Sequence, residues 1–158
     1  MKTLVVYYSR TGTTKKVAES ISKEIKGDIE EILDTKNRDG VIGYIKAGRD
    51  ATLKRLTLIK NINKNPKDYD LIIIGTPIWV WTMATPIRTY MIQNKGSFKN
   101  IALFCTMGGS KGKTFEEMED LIGQKAKAFL KLKTREVNNG FIERVKDFIK
   151  DLNTNKKA

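Results

Sequence analysis

Two spacings alternate along the chain. Short unbroken apolar runs, bounded by polar turns, give way to segments whose apolar residues recur every three or four positions. Residues 3–8 (TLVVYY) are β-branched and aromatic, as a strand buried on both faces requires. From Thr13 onward Val17, Ile21 and Ile25, with Ala18 beside them, draw one face of a helix that Gly27 closes. Residues 28–33 read as a second strand, and 69–76 (YDLIIIGT) as the most apolar strand, hence the central one. A short helix follows over 86–92, with Pro86 at its start, where a missing N–H is harmless. Residues 100–105 (NIALFC) form a further buried strand. Residues 114–122 read as a helix with Glu116 and Glu117 in its early turns, where the macrodipole favours acids. A weaker strand spans 126–132, and Phe141, Ile142, Val145, Phe148, Ile149 and Leu152 mark an amphipathic final helix.

Five strands alternating with helices predict an α/β fold, with a parallel sheet covered on both faces. Residues 1–153 are expected to form one domain and 154–158 a disordered tail. Residues 35–66 fit the alternation least well. Ile42, Ile45, Leu53 and Leu56 suggest a crossover helix, against which Gly43 and Gly48 count.

The 158 residues suffice for a self-sufficient core, and no apolar run approaches the roughly 20 residues of a membrane-spanning helix. The single cysteine, Cys105, cannot form an internal disulfide, and no signal peptide is visible; both suit a cytoplasmic protein. With one cysteine and no histidine, a zinc site or a histidine-based triad is all but excluded. Net charge is the unusual quantity, at +12. Residues 36–67 hold nine basic residues against two acidic ones, a net +7, and so more than half of the total. Such a field attracts an anionic partner: an acidic protein, nucleic acid or a membrane surface. Nucleic acid is disfavoured because Tyr44 is the only aromatic interleaved with these charges.

In open parallel sheets ligands bind at the carboxyl ends of the strands, and three loops there have unusual compositions. The first, SRTGTT, comprises Ser9, Arg10, Thr11, Gly12, Thr13 and Thr14 ahead of a helix N-terminus. Free backbone N–H groups, a close-approach glycine and four hydroxyls suit a phosphate. This first loop lacks the Gly-Lys-Ser/Thr ending of a nucleoside-triphosphate loop. Arg10 either neutralises the phosphate or is solvated, with solvation the commoner outcome. The second loop, TPIWVWTMATP, carries both tryptophans of the chain: Thr76, Pro77, Ile78, Trp79, Val80 and Trp81 place two indoles where a flat ring can stack. The third, TMGGSKGKT, offers Thr106, Met107, Gly108, Gly109 and Ser110, with backbone amides and hydroxyls for a heterocycle's polar edge.

A phosphate site, an aromatic wall and an amide-rich edge describe a phosphorylated planar cofactor, and with them the chain resembles the flavodoxins over nearly its whole length. The family's phosphate pattern is matched by Ser9, Thr11, Gly12 and Thr14, its aromatic second loop by residues 76–81, and its third by residues 106–110. The resemblance implies a flavodoxin-like sheet of order 2-1-3-4-5, non-covalently bound FMN and flavin redox chemistry. The chain departs from the pattern in its basic charge, in lacking a glycine between Pro77 and Thr82, and in lacking an aromatic in the third loop.

The expected role is an FMN-binding cytoplasmic electron carrier with acidic redox partners. One alternative is an FMN-dependent oxidoreductase passing two electrons to a quinone or related acceptor. The other is a flavin-free module that binds acidic partners through its basic segment. No residue stands out as a general acid or base, Cys105 reads as a small core residue, and homodimerisation is left open.

Overall fold

The computed structural model describes residues 1–36 and 40–154, with Tyr44 given by its backbone alone. Arg38 and Asp39 of the basic segment, and all of the expected tail beyond Thr154, lie outside the described residues. In chain order the elements are β1 (Thr3–Tyr7), α1 (Thr13–Ile25), β2 (Asp28–Glu31), α2 (Gly40–Thr52), β3 (Leu71–Trp79), β4 (Thr82–Met83) and α3 (Thr85–Gln93). They continue as β5 (Ile101–Met107), α4 (Thr114–Ile122), β6 (Phe129–Lys133), α5 (Thr134–Asn139) and α6 (Ile142–Thr154).

The sheet order is β2-β1-β3-β5-β6, with every neighbouring pair parallel. Counting parallel strands alone, this is the expected 2-1-3-4-5 arrangement. β4 is an addition: a two-residue strand antiparallel to β3, pairing Ile78 with Met83 and Trp79 with Thr82. Three other features were not foreseen. A single 3-10 turn spans Pro66–Asp68, α5 follows β6 directly, and β3 extends three residues past Thr76. β2 ends two residues before the predicted boundary at Leu33, because it pairs only with β1 over Asp28–Glu31.

Side chains on a strand alternate between faces, and that period sorts the core into two halves. Leu4 and Val6 of β1, Ile72 and Ile74 of β3, and Leu103 and Cys105 of β5 face one side, against Ile87, Tyr90 and Met91 of α3 and Phe115 and Met118 of α4. Val5, Tyr7, Ile73 and Phe104 face the other, against Val17, Ala18 and Ile21 of α1 and Val145, Phe148 and Leu152 of α6. Ala47 and Ala51 bring α2 onto the first side. Gly75 is required where β3 passes under the Phe104 ring, since a Cβ there would stand 1.9 Å from Phe104 Cζ.

The chain leaves β1 for β2 on one side and reaches β3 on the other, so the strand order reverses at the carboxyl ends of β1 and β3. That crevice is where a doubly wound sheet binds ligands, and three strand-end loops meet there.

Candidate functional site

The first loop is held by its own serine. Ser9 Oγ accepts hydrogen bonds from the backbone N–H groups of Gly12 (3.1 Å) and Lys15 (3.2 Å). Gly12 precedes α1 at φ +88°, a left-handed conformation that glycine adopts without penalty, and a Cβ there would meet nothing within 4 Å. The ground above the helix start is therefore open. The first-turn amides of a helix have no carbonyl four residues back. With Ser9 occupied by Gly12 and Lys15, those of Thr13 and Thr14 have no acceptor among the described residues. The hydroxyls of Thr11 and Thr13 lie 3.5 Å apart at the same mouth.

The second loop turns out to be a hairpin. Trp79 is still in β3, only 6% exposed, and packs edge-to-face on Tyr8 with ring centroids 5.4 Å apart. Val80 and Trp81 form the turn, at φ +48° and +62°. Trp81 is 66% exposed, so the two indoles do not share one wall as the sequence suggested. Thr76 is fully buried: its Oγ1 accepts from Ala84 N–H (2.9 Å) and donates to the Pro77 carbonyl (2.9 Å), which pins the base of the hairpin. Beneath the hairpin, Arg88 Nη2 donates to Thr82 Oγ1 (3.0 Å) and to Glu117 Oε2 (3.4 Å), while Thr82 Oγ1 donates to Glu117 Oε2 (2.7 Å).

The third loop is docked on the second. Gly112 takes φ +56°, and a Cβ there would stand 2.6 Å from the Trp81 carbonyl oxygen, which itself accepts from Thr114 Oγ1 at 3.2 Å. Thr106, at the end of β5, reaches back to the first loop, its hydroxyl 2.8 Å from that of Thr14 in a buried bond.

These contacts enclose a pocket of about 230 Å³ at the carboxyl edge of the sheet. It is lined by Arg10, Thr11, Thr13 and Thr14 from the first loop, by Pro77, Ile78 and Trp79 from the second, and by Thr106, Met107 and Gly108 from the third. Ser9, Gly12 and Thr76 shape it from behind. Val80 and Trp81 stand outside its wall, and Gly109 and Ser110 line the neighbouring cleft instead. One lining residue, Thr134, had not been expected. It follows β6 and donates from Oγ1 to the Met107 carbonyl (3.3 Å), so the carboxyl end of a fourth strand contributes. A strand ending near residue 132 was the available signal for it.

The volume lies below the ~300 Å³ at which small-molecule sites begin, so the pocket encloses only part of a mononucleotide. Its donor set fits a phosphate at the α1 end, and its Pro77–Trp79 and Met107 side fits an apolar ring. Among the described residues, Arg10 is the only charged one in the lining. Cys105, just below, is fully buried, and that burial pushes its thiol up to about 12 against the opposing pull of Lys111 and Lys131. A protonated, inaccessible thiol has no nucleophilic role at neutral pH. Among the described residues no group of three or more metal-ligating side chains occurs, and no helix is long and apolar enough to cross a membrane.

Comparison with known proteins agrees with this geometry. No curated protein sequence matches the chain. Among solved structures, a flavoprotein from Lactobacillus acidophilus NCFM in complex with FMN is 31% identical, with a TM-score of 0.73 over 87% of this chain and 97% of its own. The apo form of the flavoprotein from that organism is likewise 31% identical, with a TM-score of 0.63 over 87% of this chain and 95% of its own. Oxidised flavodoxin 2 from Bacillus cereus shares the fold at 17% identity, with a TM-score of 0.62 over 98% of this chain and 99% of its own. The flavodoxin family model matches residues 2–151. A crevice at the switch point, a hydroxyl-bearing first loop and a match over nearly the full length lead to one assignment: the chain belongs to the flavodoxin family.

Proposed function

We propose that the chain binds FMN non-covalently and serves as a cytoplasmic electron carrier. One observation carries the reading: a hydroxyl-bearing helix N-terminus, an apolar wall ending in Trp79 and a strand end with Met107 and Gly108 converge on a single pocket. The flavoprotein of L. acidophilus, 31% identical, is in complex with FMN, which supports the same ligand here.

The hydroxyls of Thr11 and Thr13 and the first-turn amides of α1 would hold the phosphate, at the end where the helix dipole favours an anion. Thr14, bonded to Thr106, fixes the floor between the first and third loops. Ile78, Trp79 and Met107 would border the ring, and the backbone of residues 107 and 108 is available to its polar edge. Bound FMN supplies one- and two-electron redox chemistry that no lining side chain possesses. Arg10 apart, none of the described residues in the lining is ionisable, so none of them can serve as a general base toward a substrate; this favours a carrier. The chain's net +12 favours negative charge on a bound cofactor and acidic redox partners.

A second reading is an FMN-dependent oxidoreductase that passes two electrons to a quinone or related acceptor. It is favoured by the Val80–Trp81 turn, which holds two side chains at positive φ and has no glycine to accommodate a change of peptide orientation.

Titration of the apoprotein with FMN, followed by flavin fluorescence and then anaerobic photoreduction, tests both readings. Strong quenching, lost in Thr11→Ala/Thr14→Ala, is expected. Reduction in one-electron steps supports the carrier, and reduction directly by two electrons supports the oxidoreductase. Absence of quenching ends both.

A further inference from the structure

Beside the candidate FMN pocket, along the exposed edge of the sheet at β6, lies a second and larger concavity. A cleft of about 650 Å³ begins at Met107, Gly109 and Ser110 and adjoins another of about 380 Å³; the two share Lys111, Lys131 and Arg144. The larger cleft gathers five cations, Lys111, Lys131, Lys133, Arg135 and Arg144, against one carboxylate, Glu136. That carboxylate is already committed. Its Oε2 accepts from Lys133 N–H (2.6 Å) and its Oε1 from Arg144 Nη1 (3.1 Å). Lys111 is held by Glu116 at 3.1 Å. Among the described residues Lys131, Lys133 and Arg135 have no acidic partner within ion-pair distance. Like charges drawn together from a loop, a strand and two helices repel one another unless an anion joins them.

Lysines on an edge strand also discourage sheet-to-sheet pairing, and Lys131 and Lys133 would serve that end alone. Edge protection does not call for Arg135 of α5 and Arg144 of α6 to converge on the same cleft. Nor does it call for the aromatic floor of the smaller cavity. There Phe115 and Phe129 pack at 5.2 Å with planes 35° apart, and Phe129 is left 46% exposed. Cations grouped for a polyphosphate, next to a part-exposed aromatic surface suited to a flat base, match one class of ligand.

We propose that this double cleft binds a nucleoside diphosphate unit, either free or as half of a dinucleotide. The diphosphate is held by Lys131, Lys133 and Arg135, and the base lies on Phe129. The larger cleft shares Met107 with the candidate cofactor pocket, so the second half of a dinucleotide extends toward that pocket. The site stands on its own residues and does not depend on the FMN reading.

Isothermal titration at low ionic strength tests it with ADP, NADH and inorganic pyrophosphate, each added to apoprotein and to FMN-loaded protein. Amide chemical-shift mapping of residues 129–135 locates the bound species. ADP is expected to bind both forms, with shifts on β6, and Lys131→Gln/Lys133→Gln/Arg135→Gln is expected to weaken it at least tenfold while FMN affinity is unchanged. Phe129→Ser is expected to weaken ADP severalfold and leave pyrophosphate unaffected. Tighter binding of NADH than of ADP identifies the dinucleotide form, and equal binding identifies the free nucleotide. Pyrophosphate binding as tightly as ADP overturns the base platform. Absence of ADP binding, or binding that the triple substitution leaves intact, overturns the site.

Discussion

Thr14 and Thr106, 92 residues apart in the chain, join their hydroxyls at 2.8 Å inside the protein. The bond ties the first turn of α1 to the end of β5, and so fixes the spacing of two of the loops that border the candidate FMN pocket. Thr14→Val and Thr106→Val keep the volume and remove the bond, and each leaves a buried hydroxyl unpaired. Each is expected to lower unfolding free energy by about 1–2 kcal/mol, with FMN affinity falling in parallel. The double variant is expected to be less destabilised than the sum of the two, because neither hydroxyl is then left orphaned. Urea denaturation of the four proteins checks this, and strict additivity would show that the bond contributes nothing of its own.

The Val80–Trp81 turn has the backbone that a two-residue hairpin needs, with the wrong residues for it. Such loops favour Asn-Gly, and a left-handed conformation costs an ordinary L-residue about 1–2 kcal/mol. The chain holds Val80 at φ +48° and Trp81 at +62°. Strain of this kind persists where surrounding structure over-determines it, often beside a binding site. Val80→Asn is expected to raise unfolding free energy by about 1 kcal/mol and to weaken FMN binding severalfold, because the relieved turn no longer holds the hairpin in its strained geometry. Greater stability with unchanged FMN affinity would make the turn a defect without a role.

How far the site could be read in advance depended on whether its signal was local. The strand-to-helix alternation and the SRTGTT loop are local patterns, so β1, α1 and Gly12 stand where periodicity and turn chemistry put them. The same local logic placed both tryptophans in one loop. It missed that Trp79 is drawn into the sheet by pairing with Thr82 across the hairpin and by packing on Tyr8, contacts that no spacing announces. Arg88 was hidden for a similar reason. Inside a helical segment it reads as a solvated cation, yet it is 5% exposed, and its partners Thr82 and Glu117 come from other elements. Thr134 needed only the rule that every carboxyl-end loop is a candidate, applied to the last strand as well as to the first, third and fourth.

The Arg88–Glu117 pair is asymmetric in a way that can be measured. The Arg88 side chain is almost wholly enclosed, whereas that of Glu117 reaches solvent and also has Lys54 at 3.9 Å. Removing the acid therefore strands a buried guanidinium, while removing the base leaves a carboxylate with other partners. Glu117→Gln is expected to cost about 3 kcal/mol and Arg88→Met less, with Arg88→Met/Glu117→Gln recovering part of the larger loss. Chemical denaturation gives the order, and Arg88→Met proving the more damaging would reverse the assignment of which charge needs the other.

Cys105 sets a pH dependence with a definite sign. Burial raises its thiol to about 12 in the folded protein, while an unfolded cysteine titrates near ~8.5. The folded state thus binds this proton more tightly, so the associated stability is complete below the unfolded pKa and drains away as pH rises toward 12. Tyr69, raised to about 12 by burial and its bond to Asp28, adds a loss of the same sign that begins only above the usual tyrosine pKa near ~10. Between pH 8 and 10 the thiol is therefore the earlier of the two to act. Wild-type unfolding free energy is expected to fall across that window, while that of Cys105→Ala, lower at pH 7 by the small cavity it leaves, stays nearly flat. Parallel slopes for the two proteins would assign the alkaline loss to other groups. Iodoacetamide gives an independent reading: at pH 8 the native thiol is expected to react only as fast as the protein opens, and at the rate of a free cysteine once urea unfolds it.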